Sequence, residues 1–109
     1  MSGVEVCKVS DVPWPGALAV DIDGVAVAIV RDEEGEIHAI RDICSHADVA
    51  LSEGEVDGCF IECWLHGSRF DLRTGQPTGP PAVSPIHIYQ VDVEGSGDAA
   101  VVLVDLVPR

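Results

Sequence analysis

Two short cysteine–histidine pairs constrain this chain more than anything else in it. They are Cys44-Ser45-His46 and Cys63-Trp64-Leu65-His66, the patterns C-x-H and C-x-x-H, with sixteen residues between them. Two thiolates and two imidazoles make a four-ligand metal site, and each pair is short enough to sit in one loop. A fold for this sequence has to bring two loops together at one point.

The rest of the sequence supplies a β scaffold for those loops. Val4–Val9 alternates apolar and polar residues and predicts a first strand. Pro13, Pro15 and Gly16 then break it, with Trp14 between them expected to plug the core. Ala17–Asp21 and Val25–Val30 flank Asp23-Gly24, a dipeptide suited to a tight hairpin. A charged turn at Arg31–Gly35 leads into an alternating strand, Glu36–Ile40. Beyond the first box, Ser52–Gly58 reads as a polar loop and Gly79–Ala82 as a rigid one, while Cys59–Glu62 and Ser68–Leu72 read as short strands. Ile86–Val93 and Ala99–Val107 return to a strand pattern. No segment of twelve or more residues carries a helical period, so little helix is expected. The fold class is all-β. Residues 1–109 read as a single domain, an antiparallel β sandwich base with a loop-rich subdomain, about residues 42–82, inserted in it.

Charge narrows the partners. The net charge is −13 and Lys8 is the one lysine, which opposes binding to nucleic acid or to an anionic membrane surface. Such acidity fits docking onto a basic protein surface, and equally fits plain solubility. No apolar run exceeds that of Val25–Val30, far short of the ~20 residues that span a bilayer. Met1–Val6 has neither the basic start nor the apolar stretch of a signal peptide. A cytoplasmic location is expected, where thiols stay reduced and four cysteines favour metal over two disulfides.

Zinc is one occupant of a two-cysteine, two-histidine set. Structural zinc modules, however, usually pair like with like. Mixed pairs suit a binuclear cluster in which each loop gives one ligand to each iron. The cysteines then hold one iron and the histidines the other, the ligand set of a Rieske [2Fe–2S] centre. A zinc-binding module stays open as the alternative.

On these residues the chain resembles the Rieske-type ferredoxins, small carriers that serve bacterial ring-hydroxylating dioxygenase systems. Cys44-Ser45-His46 matches the family's first box and Cys63-Trp64-Leu65-His66-Gly67 its second. The likeness runs on through Ser68–Gly75, and Gly79-Pro80-Pro81-Ala82 looks like the family's proline loop over the cluster. The resemblance implies the Rieske (ISP-like) fold and one [2Fe–2S] cluster. Cys44 and Cys63 would ligate the inner iron, and His46 and His66 the outer one. Ser68, Phe70, Trp64, Pro80 and Pro81 would form the cluster's surroundings.

The function implied is a soluble one-electron carrier, passing electrons from a reductase to a terminal aromatic-ring dioxygenase or related non-haem iron oxygenase. No catalytic residue is assigned, and a monomer is expected. A small Rieske subunit of a nitrite-reductase-like complex, or an accessory redox protein of iron–sulfur cluster assembly, is the alternative. The oxygenase itself needs a further iron site and a catalytic domain for which 109 residues leave no room.

Respiratory-chain Rieske proteins carry an extra cysteine in each box, joined as a disulfide; Val49 and Leu65 stand at those positions here. The serine that hydrogen-bonds the cluster is kept as Ser68, but the corresponding tyrosine is Phe70. The formal charges of two ferric irons, two sulfides and two thiolates cancel, whereas four thiolates leave the cluster doubly negative. The potential should therefore exceed that of all-cysteine clusters, yet lie in the lower part of the Rieske range of roughly −150 to +300 mV.

Other polar residues have plainer readings. Cys7 and Cys59 are expected to be packing residues, and His38 and His87 surface or hydrogen-bonded strand histidines. Asp42, Asp48, Glu53, Glu55 and Asp57 form either a docking rim or local partners for Arg41, Arg69 and Arg73.

Overall fold

The Asp23-Gly24 turn shows how the sequence lays down the sheet. Both residues take positive φ, 52° and 84°, as a two-residue hairpin turn demands. The Gly24 N–H donates to Asp21 Oδ1 at 2.9 Å, and the register runs from Ile22↔Val25 to Gly16↔Arg31. The computed structural model describes residues 3–44, 49–65, 67–79 and 84–108.

Nine strands are present among them: β1 Val4–Lys8, β2 Gly16–Ile22, β3 Val25–Arg31, β4 Ile37–Arg41, β5 Glu55–Asp57, β6 Phe60–Glu62, β7 Arg69–Asp71, β8 Ile88–Glu94 and β9 Val101–Pro108. The described residues contain short 3-10 turns but no α-helix. A six-stranded sheet has the order β1-β9-β8-β4-β3-β2, and β5-β6-β7 form a second, smaller sheet. Every strand pairing is antiparallel. Because β4 pairs with β8, the chain between them leaves the large sheet, builds the small one and returns.

Two apolar cores result, with β3 and β4 as the wall between them. Val27 and Ile29 on β3 and Ala39 on β4 face a core to which all six strands of the large sheet contribute. Ala28 and Val30 on β3 and Ile40 on β4 face the other, shared with Leu51, Ile61, Phe70 and Leu72. A strand buried on both faces has no polar side to show, so Val25–Val30 reads as an unbroken apolar run. The all-β expectation is borne out; the base is one continuous sheet wrapped about its own core.

Three details depart from the sequence reading. The polar stretch Ser52–Gly58 contains strand β5, preceded by a 3-10 turn at Leu51–Glu53. Within β5 only Val56 turns inward between exposed Glu55 and Asp57, too short an alternation to read. Gly54, between turn and strand, lies so close to the Glu62 carbonyl that a Cβ would collide with it. Trp14 is no core plug: it is 60% exposed. Its ring lies under the Arg31 guanidinium at 4.5 Å, its Nε1–H donates to the Glu33 carbonyl, and Val12, 3% exposed, enters the core instead.

Candidate metal centre

The two boxes are held by matching backbone bonds. The Cys44 N–H donates to the Val49 carbonyl at 3.0 Å, and the Cys63 N–H to the Ser68 carbonyl at 2.7 Å, each reaching five residues forward. In the second box the Gly67 N–H also returns to the Cys63 carbonyl at 2.9 Å, with Gly67 at φ 76°. Each cysteine thus closes a short loop at its base.

The elements behind the boxes fix where these loops stand. Cys44 follows β4 and Cys63 follows β6. Asp42, 6% exposed, accepts the Ser52 N–H on Oδ1 at 2.7 Å and the Ser52 hydroxyl on Oδ2 at 2.6 Å, tying the end of β4 to the 3-10 turn beyond the first box. Ile61↔Phe70 pairing on β6 and β7 anchors the second box, and Phe70 is fully buried.

The structure brings the two cysteines into the same core. Cys44 is 2% and Cys63 0% exposed, both within the apolar group of Leu51, Ile61, Phe70 and Leu72. None of the four cysteines forms a disulfide; Val49 is half-buried against that core and Leu65 is exposed. Ser68 is buried beside the second box, while Trp64 projects outward at 52% exposure. His46, His66, Pro80 and Pro81 lie outside the described residues. Two thiols buried together in apolar surroundings suit a group whose charge with them is low. The donor set, as far as it is described, fits a Rieske cluster.

The charged residues near the boxes are mostly paired locally. Arg69 meets Asp57 at 3.2 Å and Arg73 meets Asp71 at 3.3 Å, while Glu53 and Glu55 are exposed. Burial pushes the Asp71 carboxyl up, but the Arg73 N–H and guanidinium outweigh it and hold the carboxyl below its ordinary range. Asp42 is buried as a loop tie and forms no rim; Asp48 lies outside the described residues. His87 is exposed, and His38 on β4 is buried, its Nε2 2.8 Å from Asp32 Oδ2. Burial pushes the Asp32 carboxyl up, yet the bond from His38 and the N–H groups of Glu36 and Glu34 bring it below its ordinary range. Sequence reasoning missed Asp32. The signal was a carboxylate opening a charged turn, where it caps the N–H groups that follow.

A family signature described as the Rieske [2Fe-2S] domain matches residues 2–90. The chain belongs to that family. It is 40% identical over 96 residues to the biphenyl dioxygenase ferredoxin subunit of Pseudomonas sp. (strain KKS102), covering 87% of each chain. Among solved structures it resembles the ferredoxin of carbazole 1,9a-dioxygenase from Nocardioides aromaticivorans IC177, with TM-score 0.82 and 38% identity over 95% of this chain and 97% of that one. A complex of reduced oxygenase and oxidized ferredoxin in carbazole 1,9a-dioxygenase gives TM-score 0.81 and 31% identity, over 94% of this chain and 92% of the matched one. The cofactor of this Rieske protein is one [2Fe–2S] cluster, and the zinc module falls away as the reading of the boxes. No helix among the described residues is long and apolar enough to cross a membrane.

Proposed function

We propose that this Rieske protein is a one-electron carrier, taking electrons from a reductase and delivering them to a terminal aromatic-ring dioxygenase. It is an electron-transfer component and not the catalytic subunit, as its relatives are named ferredoxin subunits. Cys44 and Cys63 hold one iron and His46 and His66 the other, within a subdomain of about residues 42–82 in a single domain. The observation that carries this reading is the burial of Cys44 and Cys63 in one core, at the bases of two loops closed by equivalent bonds.

The cluster, when bound, would supply a one-electron couple. What the chain adds is position. The core around Cys44 and Cys63 keeps water from the thiolates. Trp64 and Leu65, 52% and 42% exposed, set apolar surface beside the second box, the kind of residue that docking interfaces favour. A ferredoxin of similar fold is found in complex with an oxygenase, which supports the same partner class here. The carrier acts as a monomer in the cytoplasm.

The test is to reduce the purified protein chemically and mix it with a terminal oxygenase of an aromatic-ring dioxygenase. Reoxidation on the millisecond-to-second scale, with two irons and two labile sulfides per chain, is expected. A reduced protein that the oxygenase does not reoxidise would sink the assignment. His46→Ser and His66→Ser should each abolish or severely alter the cluster's EPR signal, while His38→Ser should retain both irons; loss of iron in His38→Ser alone would reverse the ligand assignment.

A further inference from the structure

A second group of metal-binding donors converges away from the two boxes. Asp32 follows β3, His38 lies on β4 and Cys59 precedes β6, yet one donor atom from each lies within 4.8 Å of the others. Asp32 is 2% and His38 8% exposed, and Cys59 is half-buried. His38 shares the β4 face of Ile40, the face turned toward the small sheet.

The carboxylate is held as a ligand would be. Asp32 Oδ1 accepts the N–H groups of Glu34 and Glu36 at 2.9 and 3.0 Å, which leaves Oδ2 directed at His38 Nε2. Such supporting bonds orient metal ligands. Cys59 is also hydrogen-bonded to Asp32, and as a thiolate it adds a third donor of a kind that binds borderline metals. An entry path is present too. Asp32 and Cys59 line a cleft of about 190 Å³ whose wall includes Glu33, Glu34 and Glu36 against the cation Arg73, itself paired with Asp71, so that carboxylates prevail there and draw cations inward.

We propose that Asp32 Oδ2, His38 Nε2 and Cys59 Sγ form a zinc site, with water from the cleft as the fourth ligand. Zinc accepts oxygen, nitrogen and sulfur together, and three protein ligands plus water is a known tetrahedral arrangement. With bonds of about 2.0–2.3 Å, neighbouring donors stand about 3.3–3.8 Å apart. The 2.8 Å contact between His38 and Asp32 therefore opens by about half an ångström as zinc takes the place of the proton between them, which passes through solvent to Nδ1 so that the imidazole binds neutral. The proton on Cys59 Sγ leaves to solvent as the thiolate binds. Burial and Asp32 both raise the Cys59 thiol, against the pull of Arg73, so the sulfur carries its proton until a cation arrives.

The site would join the two sheets. Asp32 and His38 belong to the β3–β4 hairpin of the large sheet, and Cys59 to the start of the small one, where the Glu33 N–H already donates to the Gly58 carbonyl at 3.1 Å. Zinc there clamps the sheet that carries Cys63 onto the base, using none of the residues proposed for the cluster.

The experiment uses the purified protein with its iron–sulfur cluster in place, dialysed against micromolar zinc chloride, with zinc and iron counted by mass spectrometry. One zinc per chain above an unchanged iron content is expected, with a higher melting temperature than in chelator-treated protein. Cys59→Ala should weaken zinc binding at least tenfold and abolish the thermal shift, whereas Cys7→Ser should change neither. Equal zinc on wild type and Cys59→Ala, no retained zinc, or zinc gained only as iron is lost would each overturn the site. His38→Gln should behave as Cys59→Ala. If His38→Gln does not fold, the half-exposed Cys59 decides the matter. Zinc binding that depends on Cys59 in protein whose iron is absent would uphold this site while counting against the cluster reading.

Discussion

Ser68 and Asp71 show what single residues contribute, one beside the proposed centre and the other to the stability of the fold. Ser68 is 1% exposed and follows the second box, so its hydroxyl lies in low-dielectric surroundings where one hydrogen bond counts heavily. If it donates to a cluster sulfur, Ser68→Ala removes stabilisation of the added electron. The midpoint potential should fall, with both irons retained, in a redox titration followed by visible circular dichroism. An unchanged potential would remove Ser68 from the cluster's surroundings. Asp71 accepts the Arg73 N–H at 2.8 Å and its Nε–H at 3.3 Å. With its folded pKa below the ordinary 3.8, it stabilises the fold above that value and loses the contribution as pH falls through the folded pKa. Asp71→Asn should cost about 1 kcal/mol in urea denaturation at pH 7. The gap from wild type should close toward pH 3 and below; a gap constant with pH would mean the charge plays no part. The same scale shows what spacing conveys. The meeting of Cys44 and Cys63 in one core was legible because each sits beside a histidine in a short box, and two such boxes point to one site. Asp32, His38 and Cys59 were not, since three separate segments bring them together and no local pattern marks them.

At the scale of elements, the paired loops depend on the strands and turns beneath them. The turn at Leu51–Glu53 lies against β6 through Gly54 and is tied to β4 through Ser52 and Asp42. Ser52→Ala removes the hydroxyl donor and leaves one oxygen of a buried carboxylate short of its partner, which should cost about 1–3 kcal/mol. Gly54→Ala forces a Cβ onto the Glu62 carbonyl and should cost more than Ser52→Ala, because backbone on both sides must shift. Equilibrium unfolding of the two variants ranks them, and the reverse order would show that the turn is held by its side chain and not by its fit against β6. Most strands were legible for a physical reason: one face meets a core and the other water, so the period of two survives in the sequence. β3 kept its position but lost its period, as both of its faces are buried. β5 was lost because a three-residue strand with one inward residue has no period to show. Trp14 was misjudged because a large apolar ring also finds a partner in a guanidinium at the surface, which no sequence window displays.

For the molecule as a whole, charge separates two accounts that the fold leaves equal. The net charge of −13 either keeps a small protein dispersed or guides it to basic partner surfaces. The structure already shows where some of the balancing charge goes: Arg69 and Arg73 are engaged with Asp57 and Asp71, and Arg31 with Trp14. These pairings leave a large acidic excess on the exterior, with Glu53 and Glu55 exposed near the boxes. A steered encounter is accelerated by long-range attraction, and that attraction is screened over about 8–10 Å at physiological salt. Electron delivery to a terminal oxygenase, measured by stopped flow under second-order conditions, should therefore slow at least tenfold between about 10 mM and 300 mM salt. Glu53→Gln combined with Glu55→Gln should flatten that dependence while leaving the rate at high salt nearly unchanged, since rim charges act on encounter more than on the docked complex. A rate that ignores salt would assign the acidity to solubility and leave docking to the apolar surface of Trp64 and Leu65.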